Sequence, residues 1–118
     1  MAKSLVKGEI VFDQPPQLPS AAVVRIALQD TSEADAPATV VAEQVLRGAS
    51  REANEHGLVR FALPFESAGE RRSLSLSAHV DLNGDGRLEK GDYINMQSYP
   101  VSAAQLDDIA IHVKQIER

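Results

Sequence analysis

Apolar and polar residues alternate with a period of two along most of this chain, a spacing that suits strands and not helices. Val6, Gly8, Ile10 and Phe12 share one face of a first segment, opposite Lys7 and Glu9. Gln14-Pro15-Pro16-Gln17-Leu18-Pro19 then interrupts pairing, because proline removes ladder donors. Ala22 to Asp30 resumes the alternation, with Val24, Ile26 and Leu28 inward and Arg25 and Gln29 outward. Thr31 to Pro37 reads as a crossover loop, with Pro37 holding Ala36 out of the helical region. Asp30, Ser32 and Asp35 suit the capping and turning of that crossover more than a binding surface.

Ala38 to Arg47 admits a strand or one short helix. Its β-branched content and the proline before it favour the strand. Arg47 to Gly57 is polar and reads as a loop. Leu58 to Phe65 turns Val59, Phe61, Leu63 and Phe65 to one side, and Leu74, Leu76, Ala78 and Val80 repeat the pattern. Tyr93 to Val101 and Ile109 to Val113 complete the count, the latter with Ile109, Ile111 and Val113 inward. The expectation is an all-β chain: a single antiparallel β-sandwich of about seven strands, with room for a short helical turn in a connection, one domain over residues 1–118.

The 118 residues carry a net charge of −5 and no cysteine. Disulfides, thiolate metal sites and cysteine nucleophiles are therefore excluded. The densest basic feature is the pair Arg71-Arg72, too little for a nucleic-acid footprint. No apolar run is long enough to span a membrane, and MAKSLVKGEIVF lacks the apolar core and cleavage site of a secretory signal. On sequence alone the chain is expected to be cytoplasmic or already trimmed of a targeting segment.

Asp81 to Asp92, DLNGDGRLEKGD, opens with the D-x-[DN]-x-[DN]-G pattern of a twelve-residue calcium loop. Calcium takes six to eight oxygens, and one turn of chain supplies most of them. Asp81, Asn83 and Asp85 offer side-chain oxygens at positions one, three and five, and Gly86 makes the sharp turn at six. Arg87 offers its carbonyl, Glu89 acts at position nine, and Asp92 closes the loop where the strongest sites use a bidentate glutamate. Leu88, at position eight, is expected to anchor the loop to the core. Asn-Gly and Asp-Gly are also hairpin-turn signals, but a bare hairpin needs no acids at positions one, five, nine and twelve. A strand precedes the loop, so the expected role for calcium is a structural clip, not an EF-hand sensor.

Catalysis finds little support. His56, His79 and His112 lie in separate elements, and His79 reads as an exposed strand residue two positions before Asp81. No G-x-S-x-G elbow is present. Glu43 reads as the exposed face of an edge strand.

Three stretches carry a family likeness: Val6-Lys7-Gly8-Glu9-Ile10, the block Val24 to Val45, and Gly91 to Val101. The run Leu28-Gln29-Asp30-Thr31-Ser32 followed by Ala34-Asp35-Ala36-Pro37 is the most specific part. They resemble the YbaY/YscW-like family of type III secretion lipoprotein chaperones. The resemblance implies a compact β-sandwich held by a lipid in the bacterial outer membrane and facing the periplasm. It also implies, for the secretion branch, pilotins that help secretin subunits localise and assemble, and no catalytic residues. This chain has no cysteine to carry a lipid. The functional expectation is a non-enzymatic envelope interaction or scaffold domain with a calcium-stabilised loop and a protein partner. The alternative is a small-ligand or carbohydrate-binding module, for which Tyr93 and Tyr99 are the available aromatic platform.

Overall fold

The computed structural model of the chain describes residues 2–31, 39–67, 73–95, 97–101 and 106–116. Its strands are β1 (Ala2–Phe12), β2 (Val23–Asp30), β3 (Thr39–Arg47), β4 (Leu58–Ser67), β5 (Leu74–Asp81), β6 (Tyr93–Asn95), β7 (Tyr99–Val101) and β8 (Ile109–Gln115). One short helix, α1 (Ser50–His56), joins β3 to β4. It is too short to cross a membrane, and no helix among the described residues is long and apolar enough to do so.

The strands follow one path, β3-β2-β5-β6-β8-β1-β4, with β7 paired to β5 beside β6. The path curls until β3 and β4, its two ends, approach each other, although no ladder joins them among the described residues. The all-β expectation holds. The two separate sheets of a sandwich are replaced by a single, nearly closed barrel-like sheet of eight strands. Period-two alternation only requires one buried face, and a curled sheet meets that requirement as well as two stacked ones do.

Among the described residues pairing is antiparallel with one exception: β1 and β8 run parallel, from Gly8 opposite Ile109 to Phe12 opposite Val113. Parallel neighbours need a long crossover, and here the rest of the chain provides it. Gly8 sits where β8 crosses close to β1. A Cβ there would run into the Ile109 carbonyl and lie 3.0 Å from Phe61 Cζ.

The inward faces match the alternation. Val6, Ile10, Val24, Ile26, Leu28, Val59, Leu63, Leu76, Val80, Ile111 and Val113 are buried to within 1% of exposure. Each such side chain contributes about 1.5–3 kcal/mol of burial free energy. Val101 and Ile109 line the same core. Glu43 is exposed on β3, an end strand of the sheet, as its place in the sequence suggests.

Two segments depart from the sequence reading. The polar stretch after Arg47 contains α1, where a loop was expected. Only Ser50 and Ala53 of this helix are buried, which leaves no apolar stripe for periodicity to reveal. Gly57, at φ 71°, ends it in the left-handed region and returns its N–H to Ala53 O at 2.8 Å. Asn54 then clamps the proline-rich segment, accepting from Leu18 N at 2.7 Å and donating to Leu18 O at 3.0 Å. Ser50 Oγ donates to Pro19 O at 2.7 Å. Tyr93 to Val101 is likewise two short strands, not one, and β6 and β7 both pair with β5. Of the crossover, residues 32–38 lie outside the described set.

The register places the end of β5, the start of β6, the end of β8 and helix α1 at the same end of the barrel. Replacing Gly8 with alanine should force β8 away from β1 and lower unfolding free energy by about 3 kcal/mol. Urea denaturation of the full chain measures this, and an unchanged midpoint would show that the seam tolerates a side chain.

Candidate functional site

The acidic loop joins β5 to β6 and folds back over the outside of the barrel. In the β2–β5 register Val23 lies opposite Asp81 and Arg25 opposite His79, so these four residues share the outer face. Val23 should be exposed there, yet it is only 2% exposed and stands apart from the main core cluster. The loop covers it: a Cβ on Gly84 would come within 2.9 Å of Ala21 O and 3.3 Å of Val23 Cγ2. Gly84, Gly86 and Gly91 all have positive φ, at 70°, 82° and 95°. Glycine takes these turns without the steric cost that a Cβ would bring.

Two buried carboxylates hold the loop together. Asp81 is fully buried and accepts from Gly84 N at 3.1 Å and Gly86 N at 2.7 Å. Asp92, 2% exposed, accepts from Leu82 N at 3.1 Å through Oδ1 and from Glu89 N at 3.1 Å through Oδ2. Its Oδ2 also lies 2.8 Å from His79 Nε2. An ionised carboxylate only accepts, so with Asp92 charged the imidazole nitrogen is the donor in that bond. Arg25 Nη2 stands 3.9 Å from Asp81 Oδ2. The loop is also tied to the last strand: Gly91 N donates to Ile116 O at 3.0 Å and Ile116 N to Asp92 O at 2.8 Å.

A second, exposed layer lies outside these acids. Asn83 Nδ2 donates to Asp85 Oδ2 at 3.3 Å and to Glu89 Oε1 at 3.4 Å. Asp85 N donates to Asn83 Oδ1 at 3.3 Å and Arg87 N to Asp85 Oδ1 at 2.9 Å, so the turn is wound on its own side chains. The Asp85 carboxyl is held below the usual carboxylate range, first by its hydrogen bond with Glu89 and then by the Arg87 amide. Glu89 is pushed up, chiefly by that same bond to Asp85. A neighbouring like charge disfavours the ionised form, so the two carboxyls are driven apart in pKa.

Of the six sequence-assigned residues, Asp81, Asn83, Asp85, Glu89 and Asp92 are thus gathered in one loop by hydrogen bonds among themselves and to its backbone. Arg87 enters through its backbone, and its side chain is exposed. Leu88 does not anchor the loop: it is 60% exposed, and the neighbouring Leu82 packs against the core instead. His79 departs from the exposed strand residue that the sequence suggests: its side chain is 20% exposed and bonded to Asp92. His79, Asp81 and Asp92 each offer a ligand atom within 4.8 Å of the others. The i, i+2 spacing of His79 and Asp81 on one strand face was the available signal for that proximity.

The other candidates lie elsewhere. His56 is exposed at the end of α1, 3.8 Å from Glu55, and the exposed His112 donates its backbone N–H to Tyr99 Oη at 2.8 Å. Tyr93 and Tyr99 are both half-buried and pack against the core, Tyr93 edge-on to Phe12 with ring centroids 5.0 Å apart. Burial pushes the Tyr93 hydroxyl above its ordinary pKa.

A curled all-β sheet with an acid-bound loop over one flank defines the class of small barrel-like domain to which this chain conforms. Comparison with known proteins narrows the class: the chain belongs to the YscW family, type III secretion system lipoprotein chaperones, which it matches over residues 1–111. This agrees with the likeness carried by Val6–Ile10, Val24–Val45 and Gly91–Val101. The chain is also similar to an alternative pilotin from the type II secretion system of Vibrio cholerae, with 27% identity and a TM-score of 0.72. That match covers 97% of this chain and 99% of the other. No curated protein matches the chain.

Replacing Asp92 with alanine should strand the Leu82 and Glu89 amides and the His79 donor, lowering stability by about 3 kcal/mol. Asparagine at the same place keeps one acceptor and should lose less. Chemical denaturation of both variants measures the difference, and equal stability for the alanine variant and the parent would remove Asp92 from this role.

Proposed function

We propose that the chain is a non-enzymatic, pilotin-like chaperone domain of the bacterial envelope, whose partner is a protein subunit of a secretion complex. The family match over residues 1–111 carries this reading. The similarity to a type II secretion pilotin along 97% of the chain supports it from the side of the fold. The partner class follows from the resemblance, in which pilotins serve secretin subunits. Deleting the coding sequence from its host should lower the fraction of secretin assembled as detergent-resistant multimers in the outer membrane. Normal assembly, with no association between the purified chain and any secretin subunit of that host, would defeat the proposal.

Within this domain the loop from Asp81 to Asp92 is a calcium clip. Its donors are all oxygens, as a hard cation requires, and they are carried on a single turn of chain. The exposed side chains of Asn83, Asp85 and Glu89 already lie within hydrogen-bond reach of one another. A cation beside them would relieve the crowding that drives the Asp85 and Glu89 carboxyls apart in pKa. Asp81 and the Oδ1 of Asp92 each keep a lone pair beyond their amide bonds, and Arg87 adds its carbonyl. Asp92 Oδ2 is already doubly engaged, so this residue cannot act as a bidentate closing ligand. Affinity therefore belongs at the weak end, on the order of 10⁻⁵ to 10⁻³ M, where filling occurs outside the cytosol. Calorimetric titration should show calcium uptake by the parent chain and none by an Asp81→Ala, Asp85→Ala double variant. Millimolar calcium should raise the parent's Tm. Uptake by both proteins would place the site elsewhere, and uptake by neither would end the calcium reading.

A further inference from the structure

Asp81 is fully buried, and a buried carboxylate needs a countercharge as well as hydrogen bonds. Two glycine amides supply the hydrogen bonds. The charge comes from the neighbouring strand, where Arg25 lies on the same outer face and brings Nη2 to 3.9 Å from Asp81 Oδ2. Arg25 also lies beneath the loop's sharpest turn, since a Cβ on Gly86 would be 3.9 Å from the same Nη2.

The pair has an unusual form. At 3.9 Å it is an ion pair without a hydrogen bond, and it lacks the forked geometry that arginine makes with carboxylates when well seated. Arg25 Nε is buried with no hydrogen-bond partner. The guanidinium is thus held near Asp81 by charge, and its own donors are left incompletely satisfied. Any divalent cation taken up by Asp81 would lie only a few ångströms from this fixed positive charge and be repelled by it.

We infer that Arg25 is the loop's built-in counter-ion: it stabilises the buried Asp81 and, by the same charge, weakens the binding of a divalent cation there. The second half rests on the calcium reading given above, whereas the first stands on the Arg25–Asp81 pair alone. Arg25 is a residue that sets affinity and is not itself a ligand. Its two effects have opposite signs, and that separates it from a residue needed only for packing.

The test uses the full chain with Arg25→Gln and Arg25→Lys. Calcium affinity is read by calorimetry, and stability by urea unfolding in excess chelator. Glutamine should lower the unfolding midpoint in chelator and tighten calcium binding by roughly tenfold. Lysine, which keeps the charge, should stay near the parent in affinity. If Arg25→Gln loses stability but binds calcium no more tightly than a calcium-binding parent, the inference is overturned and the calcium reading survives. Should neither the parent nor Arg25→Gln take up calcium, the calcium reading and the affinity half of the inference fall, and the counter-ion half is decided by the unfolding midpoint alone. An unchanged unfolding midpoint in chelator for Arg25→Gln would overturn the counter-ion role directly.

Discussion

The contact between the first strand and the last organises this molecule. β8 enters the sheet between β6 and β1, and its parallel ladder with β1 joins the pair β1–β4 to the remainder of the path. That approach is close enough that Gly8 faces the Ile109 carbonyl with no room for a side chain. Parallel pairing of chain ends is also the most non-local contact a sheet can make. Its loop-closure entropy must be overcome by core burial from all the strands between. The barrel is therefore a single cooperative unit in which β8 sets the position of everything it touches. One of the things it touches is the acidic loop, through the Ile116 bonds to Gly91 and Asp92.

The loop in turn shows how a short, glycine-rich segment stays folded on the outside of a sheet. It has almost no apolar surface of its own to bury, apart from Leu82 inward and the cover it gives Val23. Its order comes from carboxylates that accept backbone amides the turn leaves unpaired. Four such bonds converge on Asp81 and Asp92. A hydrogen bond to a charged acceptor contributes about 1.5–3 kcal/mol, so this set rivals the burial of four large core side chains. Backbone and carboxylates are thus mutually dependent, and neither would be stable in this form without the other.

How far the sequence reveals this depends on which interaction decides each residue. Val24, Ile26, Leu28, Val59, Phe61, Leu63, Ile109, Ile111 and Val113 are legible because pleating alone dictates where their side chains point. Whether that buried face belongs to two sheets or to one curled sheet is not legible, since β8 could pair with β1 in either. Helix α1 escapes notice because a single alanine is its apolar contact with the core, and Asn54 fixes it through backbone bonds that have no pattern. The site is legible as a string of oxygen donors and glycines. The inward turn of Asp92 is not, because it depends on His79 across the β5–β6 corner and on amides that any sequence would carry. Leu88 misleads for a related reason. Its usual place in a helix-flanked loop faces a core, whereas this loop lies on a barrel flank where Leu82 takes that contact.

The two layers of the loop divide its functions. Asp81 and Asp92 face the sheet and hold the backbone, while Asn83, Asp85 and Glu89 face solvent and concentrate negative charge. An ion gathered by the outer layer would add to a turn whose shape the inner layer already holds, so a large rearrangement on binding has no structural basis here. That suits a domain that presents a fixed surface to a protein partner better than one that signals by changing shape. It also locates the sensitive point of the loop. Arg25 and His79 are the polar side chains of the β2–β5 pair that meet the inner layer, beside the packing of Gly84 over Val23, so coupling between the loop and that pair has a charged route as well as an apolar one.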